Sequence, residues 1–241
     1  MSFERNVFVN CPFDDRFLPL LQPLLFTIIY LDLSPRIALE RKDSGESRLD
    51  KLVELIRESK YSIHDLSRSE AAAAGELYRL NMPFELGLDY GCRLLGVTKF
   101  RQKRTLVLES VPHRYKAAIS DLFGADVECH YHEPYKIIGV VRNWLKSICL
   151  PTAAGPARIE AAFTEFMTAE YNALTPDGFS AVDTLLCRLA SCWSACSDGS
   201  INLVASNART STTAGVVSPY SSIWIFRSLA SAVQRATSAL M

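Results

Sequence analysis

Short apolar runs alternate along the chain with segments in which apolar residues recur every three or four positions. The runs, such as the one in "NVFVNCP", are continuous rather than alternating, which is typical of central strands of a parallel sheet. The predicted strands cover residues 6–12, 35–40, 61–67, 104–110 and 126–132, and the last is the most polar, which predicts an edge position.

The segments between the runs have the helical period. They predict helices over residues 17–32, 48–60, 82–96, 114–122 and 133–150, with Ser47 as an N-cap and Leu49, Leu52, Val53 and Ile56 on one apolar face. Strands alternating with helices predict an α/β fold. We therefore expect a five-stranded parallel, flavodoxin-like sheet flanked by helices over residues 1–150.

The C-terminal part of the chain has a different pattern. The stretch "LPTAAGP" predicts a linker, and two helical segments, 157–174 and 175–196, predict a helical extension over residues 151–198. The remaining 43 residues, 199–241, contain no Asp, Glu or Lys. This tail either docks on the body or a partner, or has no function.

Composition excludes several classes of protein. The 241 residues carry 26 Lys and Arg against 26 Asp and Glu, which gives no nucleic-acid or membrane signal. No apolar run reaches the roughly 18 residues of a membrane span, and "MSFERNVFVN" has no signal-peptide pattern. Seven cysteines, an odd number without regular spacing, favour a reduced cytoplasmic protein over a disulfide scaffold.

The stretch "NMPFELGLDYG" places a carboxylate, Glu85, among apolar residues near the start of a predicted helix. Pro83 suits the first helical turn. A largely buried segment is indicated by Phe84, Leu86, Leu88, Leu94 and Leu95. A carboxylate in such surroundings must be paired or used. The helix dipole would favour its ionised form, while the apolar neighbours would raise its pKa.

Four polar segments should meet at one edge of the sheet, because ligands of open parallel sheets bind beyond the carboxyl ends of the strands. They are "NCPFDD", "ERKDSGES", "HDLSR" and "NMPFELG". We expect Asn10, Asp43, Asp65 and Glu85 to lie around a single cleft there.

The order of these motifs resembles a known family. A strand ending in "HDLS", then a loop and "MPFELGLDYG", is similar to the nucleoside 2-deoxyribosyltransferases and their TIR-like relatives, and "VFVNCPF" resembles their first strand. The resemblance covers about residues 6–149. It implies that Glu85 attacks or stabilises the anomeric carbon as an N-glycosidic bond breaks, and that Asp65 binds ribose hydroxyls or the base.

The function that the resemblance implies is hydrolysis of the N-glycosidic bond of a nucleotide, with NAD as the leading substrate, in an antiphage defence effector. Two alternatives remain: a nucleoside deoxyribosyltransferase, and a non-catalytic TIR-like module that senses a nucleotide or binds a partner. No cofactor is needed, since NAD is the substrate. The predicted substrate-binding residues are Asn10, Cys11, Pro12, Phe13, Asp14, Asp43, Ser44, Arg48, Asp65, Ser67, Asn81, Met82 and Phe84.

Several of these residues also have a purely structural interpretation. Glu85 would cap free helix amides, and Asp65 would cap a neighbouring turn. Cys11 is interpreted as a packed small residue and His64 as a core histidine on the opposite strand face from Asp65. The Gly45 loop with Ser44 and Arg48 either binds a phosphate or is a solvated loop.

Metal binding and assembly complete the predictions. Glu128, His130 and His132 would share one face of the fifth strand, but the two histidines lack a convincing third and fourth ligand nearby, so no metal site is expected. The helices after Pro156 carry many apolar residues, Phe163, Phe166, Met167, Leu174, Leu185, Leu186, Leu189 and Trp193. They predict a homo-oligomer or a partner protein bound through the C-terminal region.

Overall fold

A computed structural model describes residues 2–38, 45–68, 80–117, 119 and 126–174. Of the predicted site, Asp43 and Ser44 lie outside the described residues, as do the second C-terminal helix and the tail over residues 199–241.

The core of the fold is a five-stranded sheet in the order β2-β1-β3-β4-β5. Every neighbouring pair of strands is parallel. This order is that of flavodoxin-like folds, so the predicted fold class is confirmed. The strands are β1 (Asn6–Asn10), β2 (Ser34–Arg36), β3 (Tyr61–Asp65), β4 (Arg104–Glu109) and β5 (Val127–Cys129).

Five α-helices accompany the sheet. They are α1 (Leu18–Tyr30), α2 (Arg48–Arg57), α3 (Asn81–Leu95), α4 (Pro134–Ile148) and α5 (Pro156–Leu174). Right-handed crossovers place α1 on one face of the sheet and α2 and α3 on the other, because the chain reverses direction across the sheet after β2. Helix α4 contacts α1, and α2 contacts α3.

The central strands explain their own apolar sequences. All five residues of β1 and of β3 are buried, since each strand has neighbours on both sides and helices on both faces. Strand β5 lies at the edge and is only partly buried, as its polar sequence predicts.

The compact unit that contains the sheet continues to Ala169, beyond the predicted boundary at residue 150. Ile159 and Phe163 of α5 are buried, and the Phe163 ring lies 5.3 Å from that of Phe26 in α1. Phe166 also packs against Phe26, at 5.4 Å. The apolar residues in the first part of α5 therefore belong to the core of this unit.

Local burial differs from the sequence prediction at several positions. Phe84, Leu94 and Leu95 are 56%, 62% and 89% exposed, so the predicted burial of these three is wrong. They lie on the outer face of α3, which the sheet does not cover. In α2 the core takes Leu55 in place of Leu49. The predicted helix after β4 begins as a short 3₁₀ helix, Arg114–Ala117.

In the part of the chain that the structure describes, none of the helices combines the length and the apolar character that crossing a membrane requires.

Candidate functional site

The topology defines one switch point, between β1 and β3, where the chain changes direction across the sheet. Asn10 ends β1 and Asp65 ends β3, so both lie at the carboxyl edge of these neighbouring strands. Open α/β sheets bind ligands at this position. The candidate site is therefore the edge formed by these strand ends and the start of α3.

Glu85 enters this edge from α3. Its side chain is buried, with only 4% of the residue exposed. The guanidinium of Arg48, the first residue of α2, lies 3.9 Å from the Glu85 carboxylate, and the Arg48 side chain is 66% exposed. No protein group donates a hydrogen bond to Glu85 among the residues that the structure describes.

The capping alternative for Glu85 is not what the structure shows. Helix α3 begins at Asn81, and Pro83 falls in its first turn as predicted. Glu85 is the fifth helical residue and so lies past the free amides of the first turn. It is also past the range of the helix dipole, which falls off within one turn.

Burial decides the ionisation of Glu85. It raises the pKa of the carboxyl from 4.5 to about 7, and the positive charge of Arg48 only partly offsets this effect. Of the two opposing effects expected from the sequence, burial among apolar neighbours therefore outweighs the helix dipole. A carboxyl group that titrates near neutral pH is typical of catalytic positions.

Asn10 connects the strand end to the start of α3. Its Nδ2 atom lies 2.9 Å from Nδ1 of His64 and donates to the backbone carbonyl of Met82 at 3.0 Å. Residue Asn10 is 2% exposed, and His64 is fully buried. His64 also contacts Asp89 of α3 at 3.2 Å, so the interpretation of His64 as a satisfied core histidine is confirmed.

Asp65 is fully buried and held by protein groups through both carboxylate oxygens. Its Oδ1 accepts hydrogen bonds from the backbone and the hydroxyl of Ser67, which is the predicted turn cap. Its Oδ2 lies 3.0 Å from Nε2 of His130. A role of Asp65 in binding ribose stays a prediction.

Cys11 lies close to this group of carboxylates. Burial raises the pKa of its thiol well above the usual value, and the charges of Asp65, Glu85 and Asp14 raise it further. The charges of Asp65 and Glu85 thus both act on this thiol. A thiol with a raised pKa is a poor nucleophile, in agreement with its interpretation as a packing residue.

The turn after β1 carries the other predicted contacts. Pro12 is buried and Phe13 half-buried. Asp14 caps the start of the next segment by accepting from the Phe17 backbone at 3.0 Å, and it pairs with Arg68 at 3.1 Å.

The remaining predicted contacts come from β3 and α3. Met82 packs its side chain into the core with Leu66 and Leu86, while Asn81 and Phe84 are exposed. Ser67 is buried, and its backbone carbonyl accepts from Arg114.

The end of β5 does not form the predicted shared face. Strand β5 stops at Cys129, and Tyr131 and His132 adopt positive φ angles of 52° and 61°. This turn leaves Glu128 exposed and buries His130, whose Nδ1 accepts from the His132 backbone at 3.0 Å. The predicted common face of Glu128, His130 and His132 is therefore wrong. Within the described ranges there is no group of residues able to hold a metal ion.

Two buried charges beneath the site were missed in the sequence. Asp89 is 1% exposed and Lys103 is fully buried, and Lys103 Nζ lies 3.0 Å from Asp89 Oδ1. The signal for Asp89 was present, because it follows Glu85 by four residues and so shares its helix face. Lys103 had no such signal, since it lies between a 3₁₀ helix and β4.

Comparisons of this chain with models of protein families, with curated proteins and with solved structures gave no match.

Proposed function

We propose that this protein hydrolyses the N-glycosidic bond of a nucleotide, with NAD as the leading substrate. The observation that supports the proposal most is the state of Glu85. It is a buried carboxylate at the switch point that receives no hydrogen bond from the described residues and has one cation, Arg48, at 3.9 Å. A buried carboxylate that the fold leaves without a donor is available to a cationic ligand.

The chemistry requires such a group. When the bond between the anomeric carbon and the nicotinamide nitrogen breaks, its electron pair goes to the nitrogen and the pyridinium becomes neutral. The positive charge moves to the ribose as an oxocarbenium ion, which the Glu85 carboxylate stabilises. Water then attacks the anomeric carbon and loses a proton to the solvent.

The raised pKa of Glu85 is compatible with this role. With a pKa of about 7, half of the carboxyl groups are protonated near pH 7. A bound substrate that carries a positive nicotinamide ring would lower the pKa of Glu85 and favour the ionised form. The ionised Glu85 would then stabilise the positive charge on the ribose most strongly in the transition state.

Arg48 suits the phosphate groups of a nucleotide. It stands at the first position of α2, and its side chain is largely exposed. A guanidinium at a helix start binds phosphate oxygens through charge-assisted hydrogen bonds. A nucleotide phosphate on Arg48 would therefore place the attached ribose within reach of Glu85.

A nucleoside deoxyribosyltransferase is the second candidate. The carboxylate of Glu85 lacks a competing hydrogen bond among the described residues, so its oxygens are available to form a covalent glycosyl-enzyme. A sensor that binds a nucleotide without turnover would need the same Arg48 contact but not the ionised Glu85. We place the protein in the cytoplasm, as an antiphage effector that assembles with itself or a partner through its C-terminal region.

Product analysis separates the three functions. The purified protein is incubated with NAD, and separately with a deoxynucleoside and a free base, and the products are resolved by chromatography. Hydrolysis releases nicotinamide and ADP-ribose, and transfer gives a new deoxynucleoside. Binding of NAD without any product would support the sensor and overturn both enzyme proposals. Glu85→Gln is assayed beside Glu165→Gln, which makes the same change at an exposed position of α5.

A further inference from the structure

The carboxamide of Asn10 is fixed in one orientation. Its Nδ2 atom lies 3.0 Å from the carbonyl oxygen of Met82, which can only accept a hydrogen bond. If the carboxamide were rotated by half a turn, two oxygens would face each other at this distance. Nδ2 therefore points to Met82, and its second hydrogen is available to His64 at 2.9 Å.

This orientation sets the tautomer of His64. Because Asn10 donates to Nδ1, that nitrogen must be unprotonated, and the ring hydrogen of the neutral imidazole is on Nε2. Nε2 lies 3.2 Å from Oδ2 of Asp89, so this hydrogen has its acceptor. Both hydrogens of Asn10 Nδ2 and the ring hydrogen of His64 therefore have an acceptor.

The chain of contacts continues to a buried cation. Asp89 also accepts from Ser62 and pairs with Lys103 at 3.0 Å. The Lys103 ammonium has two further acceptors, the carbonyls of Ile56 and Ser59. The series Asn10, His64, Asp89 and Lys103 is buried throughout, at 2% exposure or less. We call it the Asn10–Lys103 chain.

This chain brackets Glu85 on α3. The Met82 carbonyl lies three residues before Glu85, and Asp89 lies four residues after it. Both contacts tie the same helix face to β1 and β3. The height and rotation of Glu85 above the strand ends are therefore set by Asn10 on one side and His64 on the other.

Two side-chain oxygens of the chain accept no hydrogen bond; Oδ1 of Asp89 is paired with Lys103, but Oδ1 of Asn10 has no such partner. Oδ1 of Asn10 is buried and has no hydrogen-bond partner, although both hydrogens of its Nδ2 are used. Asn6, on the same strand, also has an unpartnered Oδ1 and donates through Nδ2 to the Glu58 carbonyl at 2.9 Å. An unpartnered oxygen alone therefore does not define a site. Asn6 begins β1 at the opposite edge of the sheet, whereas Asn10 ends the strand at the switch point and bonds the Met82 carbonyl in the first turn of α3.

We propose that Oδ1 of Asn10 accepts a hydrogen bond from a ribose hydroxyl of the ligand, and that His64 and Asp89 are positioning residues that hold Asn10 and α3 for this contact. The inference rests on the proposed function for the identity of the ligand. It deepens that function, because an acceptor fixed in place recognises a hydroxyl and rejects the deoxy analogue, which would leave the oxygen unpaired.

Binding measurements test this contact without turnover. Isothermal titration of the full chain compares ADP-ribose, adenosine, 2′-deoxyadenosine and 3′-deoxyadenosine. We expect one of the two deoxynucleosides to bind about tenfold more weakly than adenosine. Asn10→Ala should weaken ADP-ribose binding to a similar extent and abolish the difference between adenosine and that analogue. Asn6→Ala, the matched control on the same strand, should retain both affinities.

The tautomer is read independently of any variant. A long-range ¹H–¹⁵N spectrum of the wild-type protein should show His64 with Nδ1 unprotonated and Nε2 protonated. A protonated Nδ1 overturns the fixed orientation of Asn10. The proposal is also overturned if the wild-type protein binds adenosine and both deoxynucleosides equally, if it binds none of the four ligands, or if Asn10→Ala binds like Asn6→Ala.

Failure of the proposed function gives a different pattern. If NAD and the deoxynucleosides give no product but ADP-ribose binding depends on Asn10, the hydroxyl contact stands and the enzyme proposals fall. If product forms at an unchanged KM in Asn10→Ala, the hydrolase proposal stands and the Asn10 contact falls.

Discussion

The Glu85 carboxylate and the Arg48 guanidinium are separated by 3.9 Å, with one side chain 5% exposed and the other 66% exposed. This distance is too long for a hydrogen bond. Arg48 therefore lowers the pKa of Glu85 without compensating the burial of the carboxyl, and the pKa remains near 7. Substitution of either Glu85 or Arg48 therefore tests the role of this pair.

The first prediction concerns the charge of Glu85. Glu85→Gln keeps the shape of the side chain and removes the charge, so turnover should fall by about 100-fold or more, the size of effect seen when one electrostatic stabiliser is lost. Glu165→Gln should retain full turnover. Turnover is measured as nicotinamide release under saturating NAD. A turnover of Glu85→Gln near that of the wild type contradicts the mechanism.

The same substitution has a signed effect on stability. Folding raises the pKa of Glu85 from 4.5 to about 7, so the folded state binds more protons in this range and wild-type stability falls as the pH rises from 4.5 to 7. Glutamine does not titrate. Above pH 7 the free energy of unfolding of Glu85→Gln should exceed that of the wild type by up to roughly 3 kcal/mol, at about 1.4 kcal/mol for each pKa unit. Urea titrations at pH 5 and pH 8 measure it. A variant less stable than the wild type at pH 8 argues against a destabilising carboxylate.

The pH dependence of kcat/KM distinguishes the possible roles of Glu85. If the carboxylate stabilises a cation, the rate should rise with pH through a midpoint near 7, because only the ionised form acts. Arg48→Ala removes the charge that lowers this pKa, so the midpoint should move upward. A rate that falls above pH 7 would instead identify Glu85 as a proton donor.

The sheet was predictable from sequence because burial on both faces imposes a strong pattern. Strand β1 has a continuous apolar run within "NVFVNCP", and β3 was placed at "YSIHDLS", where Ser62, His64 and Asp65 are buried polar residues. The ends of the strands were predicted too long, since turn residues such as Pro12 and Ser67 follow the strands directly without pairing. The strand order β2-β1-β3-β4-β5 is that of the predicted flavodoxin-like class, whereas the register between strands was not predicted.

The site was predicted only as far as its position. Glu85 and Asn10 were singled out because their places at element ends were visible in the sequence. Their partners were not, since the contact between Asn10 and the Met82 carbonyl spans 72 residues and depends on tertiary packing. His130 was considered for metal binding, and its pairing with Asp65 depends on the backbone turn at Tyr131 and His132, which no sequence period indicates.

The buried Lys103 offers a test of the Asn10–Lys103 chain through stability. Lys103→Met leaves Asp89 buried without its cation, and breaking a buried pair in this way costs about 3–5 kcal/mol. Lys60→Met is the matched control, because Lys60 pairs at 2.5 Å with Glu4, whose side chain is 58% exposed. Such a surface pair contributes about 1 kcal/mol or less. Urea denaturation measures both, and equal losses would show that Asp89 does not depend on Lys103.

The last prediction concerns assembly. Phe163 and Phe166 pack against Phe26, so a truncation that removes α5 would expose the core. The informative truncation therefore ends after Leu174, the last residue of α5, and removes residues 175–241. If the C-terminal region mediates self-association, multi-angle light scattering should show fewer chains per particle for this truncated protein than for the full chain. Far-ultraviolet circular dichroism should show that the truncated protein is still folded, with helices α1–α5 present. A full-length chain that stays monomeric at high concentration and retains no partner in a pull-down would contradict assembly through this region. Association that persists after truncation would place the interface on the described unit, where the exposed side chains of Leu94 and Leu95 on α3 are the first positions to mutate.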